Sequence, residues 1–116
     1  MRERMSDCLF CRIVRKEIPA QLVAESENCL AFRDISPQAP THVLVIPKLH
    51  VASLNDLTDP LVAGGMLQMA ADVAKSLGVA EAGYRVVFNT GDDGGQPVHH
   101  LHAHLLAGRS LHWPPG

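Results

Sequence analysis

A chain of 116 residues, 47% hydrophobic and 19% charged, has the size and composition of one globular domain able to bury a core without crosslinks. The formal net charge of −2, with no Lys/Arg cluster beyond "CRIVRKE", argues against a nucleic-acid binder. No apolar run approaches the ~20 residues of a membrane span, and "MRERMSDC" lacks the apolar middle of a signal peptide.

The sequence therefore predicts a cytoplasmic protein, in which three cysteines read as thiols or metal ligands rather than as a disulfide framework. In chain order, residues 6–17 predict a short helix capped by Ser6 or Asp7, with Pro19 beyond its end. Residues 21–26 and 28–34 predict paired strands around a tight turn. A proline-punctuated loop, 37–42, leads into the β-branched run 42–47, which reads as a buried strand. Residues 60–77 predict the main helix: Asp59 can cap it, Pro60 suits its first position and Gly78 its exit. Val62, Met66, Met69, Val73 and Leu77 recur three and four apart, which makes a core-facing stripe. Gly64 and Gly65 weaken the first turns. A strand over 84–89, a glycine-rich loop over 90–97 and a final strand over 98–106 complete an α+β meander on a mostly antiparallel sheet.

The final strand carries "HHLHAHLL", four of the seven histidines in six positions. Strand alternation puts His100, His102 and His104 on one face and His99 on the other. Three imidazoles in a row have two functional readings. They can bind one metal, as three-histidine catalytic zinc sites do, or one ring can keep a lone pair for attack at phosphorus or for proton transfer. The preceding "TGDDGGQP" favours the second, since Gly91, Gly94 and Gly95 let backbone N–H groups approach an anion. It precedes a strand and lacks the Gly-Lys-Ser/Thr ending, so it is not a P-loop.

The pattern His-φ-His-φ-His-φ-φ over 100–106, with φ apolar, resembles the signature of the histidine triad (HIT) superfamily of nucleotide hydrolases and transferases. "KEIPA", "CLAFRDISPQAPTHVLVIPKLH", "GYRVVFNTGDDGGQPVHHLHAHLLAGR" and "WPPG" extend the resemblance to the Hint branch over nearly the whole chain. The resemblance implies a single HIT domain over 1–116, with a flexible N-terminus at 1–6 and a segment at 107–116 that reaches the partner of a homodimer. It implies hydrolysis of purine nucleoside 5′-phosphoramidates of AMP or GMP type through a covalent nucleotidyl-histidine. His102 would be the nucleophile, His104 would support the phosphate, and His42 would belong to the same site. Asn89, Gly95 and Gln96 match phosphate contacts, and Asp34 matches the carboxylate on the ribose hydroxyls. Leu9, Phe10, Ile13, Phe32 and Ile35 match the slot around the base, and Trp113 a residue entering the partner's site. Hydrolysis of dinucleoside polyphosphates and a nucleotide-binding module with incidental activity are the alternatives.

One position departs from the Hint pattern. Pro97 stands where serine is usual and supplies neither a hydroxyl nor an N–H, a loss worth on the order of 10- to 1000-fold in rate. Cys8 and Cys11 form C-x2-C, half of a metal site, with His50 and His100 as candidates to complete a structural zinc site; some histidine triad proteins resemble this arrangement. Cys29 reads as a buried apolar residue, His99 as structural and His112 as a surface or dimer contact.

Overall fold

The computed structural model describes residues 7–116, so the expectations for 1–6, including Ser6 as a helix cap, lie outside it. The elements follow the expected order: α1 (Leu9–Val14), β1 (Leu22–Glu25), β2 (Cys29–Arg33), β3 (Thr41–Pro47), α2 (Pro60–Ser76), β4 (Tyr84–Phe88) and β5 (Ala103–Ala107). A 3-10 turn over Leu54–Asp56 was not expected. The strands form one sheet in the order β1-β2-β3-β5-β4, every neighbouring pair antiparallel.

Two predicted boundaries are corrected. The first helix is 9–14 rather than 6–17, and its cap is Cys8, whose Sγ accepts from the Cys11 N–H at 3.5 Å. It stops because Lys16 turns into the left-handed region at φ 63°. The Lys16 N–H then returns to the Ile13 carbonyl and the Glu17 N–H to the Arg12 carbonyl, a Schellman closure made without glycine. The last strand starts at Ala103 rather than 98, because the Leu101 N–H leaves the ladder for the Val51 carbonyl.

The main helix meets its expected signals. Asp59 accepts from the Leu61 N–H at 2.9 Å, Pro60 opens the helix, and Gly78 leaves it at φ 74°. Val62, Met66, Met69 and Val73 are buried, and Leu77 packs at the margin of the same cluster. They cover one sheet face through Cys29, Ala31, Val43, Val45, Leu101, Ala103 and Leu105. On the opposite face Leu30, Phe32, Leu44 and Ile46 pack under α1, with Phe10 and Ile13. β3 is thus covered on both sides, which is why it reads as an unbroken apolar run. Among the described residues, no helix is long and apolar enough to cross a membrane.

Candidate active site

Side-chain alternation persists through 100–104, although hydrogen bonding to the sheet begins only at 103. Leu101, Ala103 and Leu105 join the core beneath α2, while His100, His102 and His104 lie on the α1 side. There a pocket of about 270 Å³ is lined by His102, His104, Asp34, Pro97 and the apolar residues Leu9, Phe10, Ile13, Phe32 and Ile35. Ile18, Pro19, Ala20, Arg33, Leu44 and Val98 also line it and were not singled out from sequence, although "KEIPA" carried the resemblance. Leu44 was recoverable, since it sits opposite Phe32 in the β2–β3 register and shares its face.

Backbone groups set the proton on each ring. A carbonyl can only accept, so the 2.8 Å contact from His100 Nε2 to the Pro47 carbonyl puts the His100 proton on Nε2. By the same logic the 2.7 Å contact from His102 Nδ1 to the His100 carbonyl puts the His102 proton on Nδ1, leaving Nε2 with its lone pair. The Gln38 N–H can only donate, and it donates to His42 Nδ1 at 3.0 Å, so His42 carries its proton on Nε2. That proton lies 2.9 Å from His104 Nδ1 and 3.5 Å from Asp34 Oδ2. His104 Nδ1 then accepts, and the His104 proton falls on Nε2, a buried atom with no hydrogen-bond partner among the described residues.

Burial keeps these rings neutral. It lowers the pKa of His42 and His102 below the ordinary histidine value, and that of His104 to about 4, with His102 and His42 adding to the effect. Phe10 stands edge-to-face against His102 with ring centres 5.1 Å apart, which holds the imidazole in place from α1.

The second cluster lies at the start of the same segment. Cys8, Cys11, His50 and His100 bring four ligand-type atoms within 4.8 Å of one another. His100 Nδ1, freed by the Pro47 contact, is 3.4 Å from Cys8 Sγ and 3.5 Å from Cys11 Sγ, and His50 Nδ1 is 3.2 Å from Cys11 Sγ. His100 therefore faces the cysteines, and the reading of three histidines around one metal loses its first ligand. The 2.9 Å between His42 and His104 is a hydrogen-bond length.

The remaining expected residues lie elsewhere. Asn89, Gly95 and Gln96 do not line the pocket. Three N–H groups of the glycine loop are engaged within it: Gly95 N–H donates to the Asp92 carbonyl, Gln96 N–H to the Gly91 carbonyl, and Gly91 N–H to Gln96 Oε1. Gln96 Nε2 is spent on the Ala52 and Val98 carbonyls. His99 borders a separate polar pocket with Ser53, Asn55, Asp92 and Gln96. Trp113 is 82% exposed and does not line the His102 pocket of its own chain. Cys29 is fully buried against α2, as expected.

The HIT domain family matches residues 15–111. An uncharacterized HIT-like protein of Synechococcus elongatus is 53% identical over 112 residues, spanning 95% of this chain and 97% of that protein. The purine nucleoside phosphoramidase of Escherichia coli is 46% identical over 107 residues, 90% of each chain. Among solved structures, a HIT family hydrolase from Legionella pneumophila superposes with a TM-score of 0.92 at 53% identity, covering 95% of this chain and all of that one. Sequence and fold agree: this chain belongs to the HIT domain family.

Proposed function

We propose that the protein hydrolyses purine nucleoside 5′-phosphoramidates through a nucleotidyl-His102 intermediate. The observation that carries this reading is the tautomer of His102, a residue that lines the pocket: its Nδ1–H is held by the His100 carbonyl, which leaves Nε2 with its lone pair. The base would enter the apolar slot of Leu9, Phe10, Ile13, Phe32 and Ile35, with Asp34 accepting from the ribose hydroxyls. His102 Nε2 attacks phosphorus, and the P–N bond to the amine breaks. His104 Nε2–H supports a phosphoryl oxygen. The anionic substrate beside His104 favours its charged form, and the imidazolium so formed protonates the departing amine. Water then attacks phosphorus, gives its proton to the now neutral His104 and breaks the P–N bond to His102, which releases the monophosphate and restores the neutral His102 ring. The phosphoramidase named among the relatives supports this substrate class.

The remaining expectations belong to the same reading. The four-ligand cluster fits zinc by its donor set. A tetrahedral ion with bonds of about 2.3 Å to sulfur and about 2.0 Å to nitrogen would hold S and N about 3.5 Å apart, close to the observed 3.2–3.5 Å. Such an ion would be structural, tying α1 to the loop after β3 and to the catalytic segment. Homodimer formation is supported by β4, an edge strand, and by the exposed Trp113 on a tail held to it through Arg85, which donates to the Leu111 and His112 carbonyls.

Incubation with adenosine 5′-phosphoramidate, quenched in mild base, tests the reading. Intact mass is expected to gain one nucleotidyl group in wild type and none in His102→Ala. Tight nucleotide binding without adduct or turnover would turn the assignment to a binding module.

A further inference from the structure

The turn after β5 lies beside the loop that leads into β3 and prepares His42, since Ala107 pairs with Thr41. Arg109 Nε and Nη2 both donate to the Gln38 carbonyl, at 3.2 and 3.0 Å, and Nη1 is spent on the Ser110 carbonyl. Gly108, at φ 95°, makes the approach possible: a Cβ there would come within 2.8 Å of Pro40. The turn and the loop are thus joined at two adjacent points. The loop itself is a chain of local hydrogen bonds. Ser36 N–H donates to Asp34 Oδ1, Gln38 Nε2 to the Ser36 carbonyl, and Asp34 N–H to the His42 carbonyl. It carries Asp34 and Ile35 to the pocket and the Gln38 N–H to His42 Nδ1.

We infer that Arg109 is a positioning residue of the proposed phosphoramidase site. By clamping the Gln38 carbonyl it holds the Gln38 N–H on His42 Nδ1, which keeps the His42 proton on Nε2 and thereby the His104 proton on Nε2 as well. Arg109 lies outside the His102 pocket and is exposed, so its action runs through the loop. Two groups face His42 besides the Gln38 N–H: Asp34 and His104. Without the clamp the loop is free to lose the Gln38 contact, and the proton of His42 is then shared between its two nitrogens. The inference rests on the phosphoramidase reading only for the effect on rate. The tautomer is a property of the free protein.

The test uses the full chain as wild type, Arg109→Ala and Arg109→Lys, with ¹⁵N-labelled histidine rings. Long-range ¹H–¹⁵N spectra are expected to show His42 protonated on Nε2 in wild type, a mixed tautomer in Arg109→Ala, and partial return to Nε2 in Arg109→Lys, which restores one donor. With adenosine 5′-phosphoramidate, kcat is expected to fall about tenfold in Arg109→Ala, as small misplacements of reacting groups do, with KM within twofold. An unchanged His42 tautomer in Arg109→Ala overturns the inference whatever the rates. A changed tautomer in a protein whose wild type shows no turnover or adduct upholds it and removes the phosphoramidase reading instead.

Discussion

His100 and His104 are four residues apart on one face of one segment, and burial lowers both to a pKa of about 4. Their neighbours nevertheless prepare them for different work. His100 donates its Nε2–H to a backbone carbonyl and turns the Nδ1 lone pair toward two thiols and His50. His104 receives a hydrogen bond on Nδ1 from His42 and keeps a proton on Nε2 with no partner among the described residues. One ring presents a lone pair to a closed set of soft donors, and the other presents a proton to the pocket wall. Which nitrogen is occupied, and by a donor or an acceptor, matters more here than that the residue is histidine. His102, between them, takes its tautomer from the carbonyl of the first and its place in the pocket beside the second.

The largest effect separates the two ends most sharply. His102→Ala is expected to remove turnover with adenosine 5′-phosphoramidate by a factor of ~10⁴ or more, because no other ring offers a lone pair to phosphorus. Zinc content by elemental analysis is expected to stay at the wild-type ratio, since His102 is not among the clustered ligands. A variant that lost both metal and activity would mean that the ends form one unit.

The reverse experiment is Cys8→Ala. It removes one of four clustered ligands and also the Sγ that accepts from the Cys11 N–H at the start of α1. Stoichiometric zinc is expected to be lost and the melting temperature to fall by roughly 10 °C or more, since structural zinc contributes directly to folding. Activity of the fraction that remains folded is expected to fall less than in His102→Ala, through looser placement of Phe10 and the base slot. Retained stoichiometric metal would remove the four-ligand assignment.

Much of this division was legible from residue types and spacing. Asp59, Pro60 and Gly78 bound α2 as expected, and the C-x2-C with His50 and His100 does come together. Period-two alternation sorted the histidines correctly even where the ladder is absent, because side-chain direction follows extended backbone rather than hydrogen bonding. The misses have tertiary causes. The last strand begins late because the Leu101 N–H is drawn to the Val51 carbonyl, a partner fifty residues away in sequence. The glycines at 91, 94 and 95 do not announce that the Gly91 N–H is taken by Gln96 Oε1 and the Gln96 N–H by the Gly91 carbonyl, since those partners are set by how the loop closes. Nothing in the composition of "SPQAP" announces that the Gln38 N–H sets the tautomer of His42, because a backbone donor has no sequence signature.

Acid tests the His104 end as a question of stability. Its pKa is about 4 in the folded chain against an ordinary value near 6.5, with burial the main cause, His102 and His42 opposing its charge and Asp34 favouring it. Between those values the unfolded chain binds a proton that the folded one refuses, so stability is complete above about pH 6.5 and falls as pH drops toward 4. His42, also lowered, contributes in the same direction. Urea midpoints measured across this range are expected to decline in wild type and to decline less steeply in His104→Asn, while His100 is common to both proteins. Equal slopes would show that burial of His104 does not govern the acid response.

The smallest expected change is a gain. Pro97 lines the pocket with His102 and His104, and none of the four clustered ligands does, so a change there addresses one end of the segment alone. Proline supplies no N–H and no hydroxyl, while the N–H groups of Gly91, Gly95 and Gln96 are engaged within their own loop. In the proposed reaction the phosphoryl group is supported by His104, and Pro97→Ser would add a hydroxyl and a backbone N–H beside it. The expected outcome is a rise in kcat of up to about tenfold with adenosine 5′-phosphoramidate, the low end of what one transition-state donor contributes. The loop gains freedom in the unfolded chain when proline is removed, which costs under about 1 kcal/mol of stability and leaves zinc content unchanged. An unchanged or lower kcat would place the new donors out of reach of the reacting phosphoryl group and leave the His42–His104 pair as its principal support.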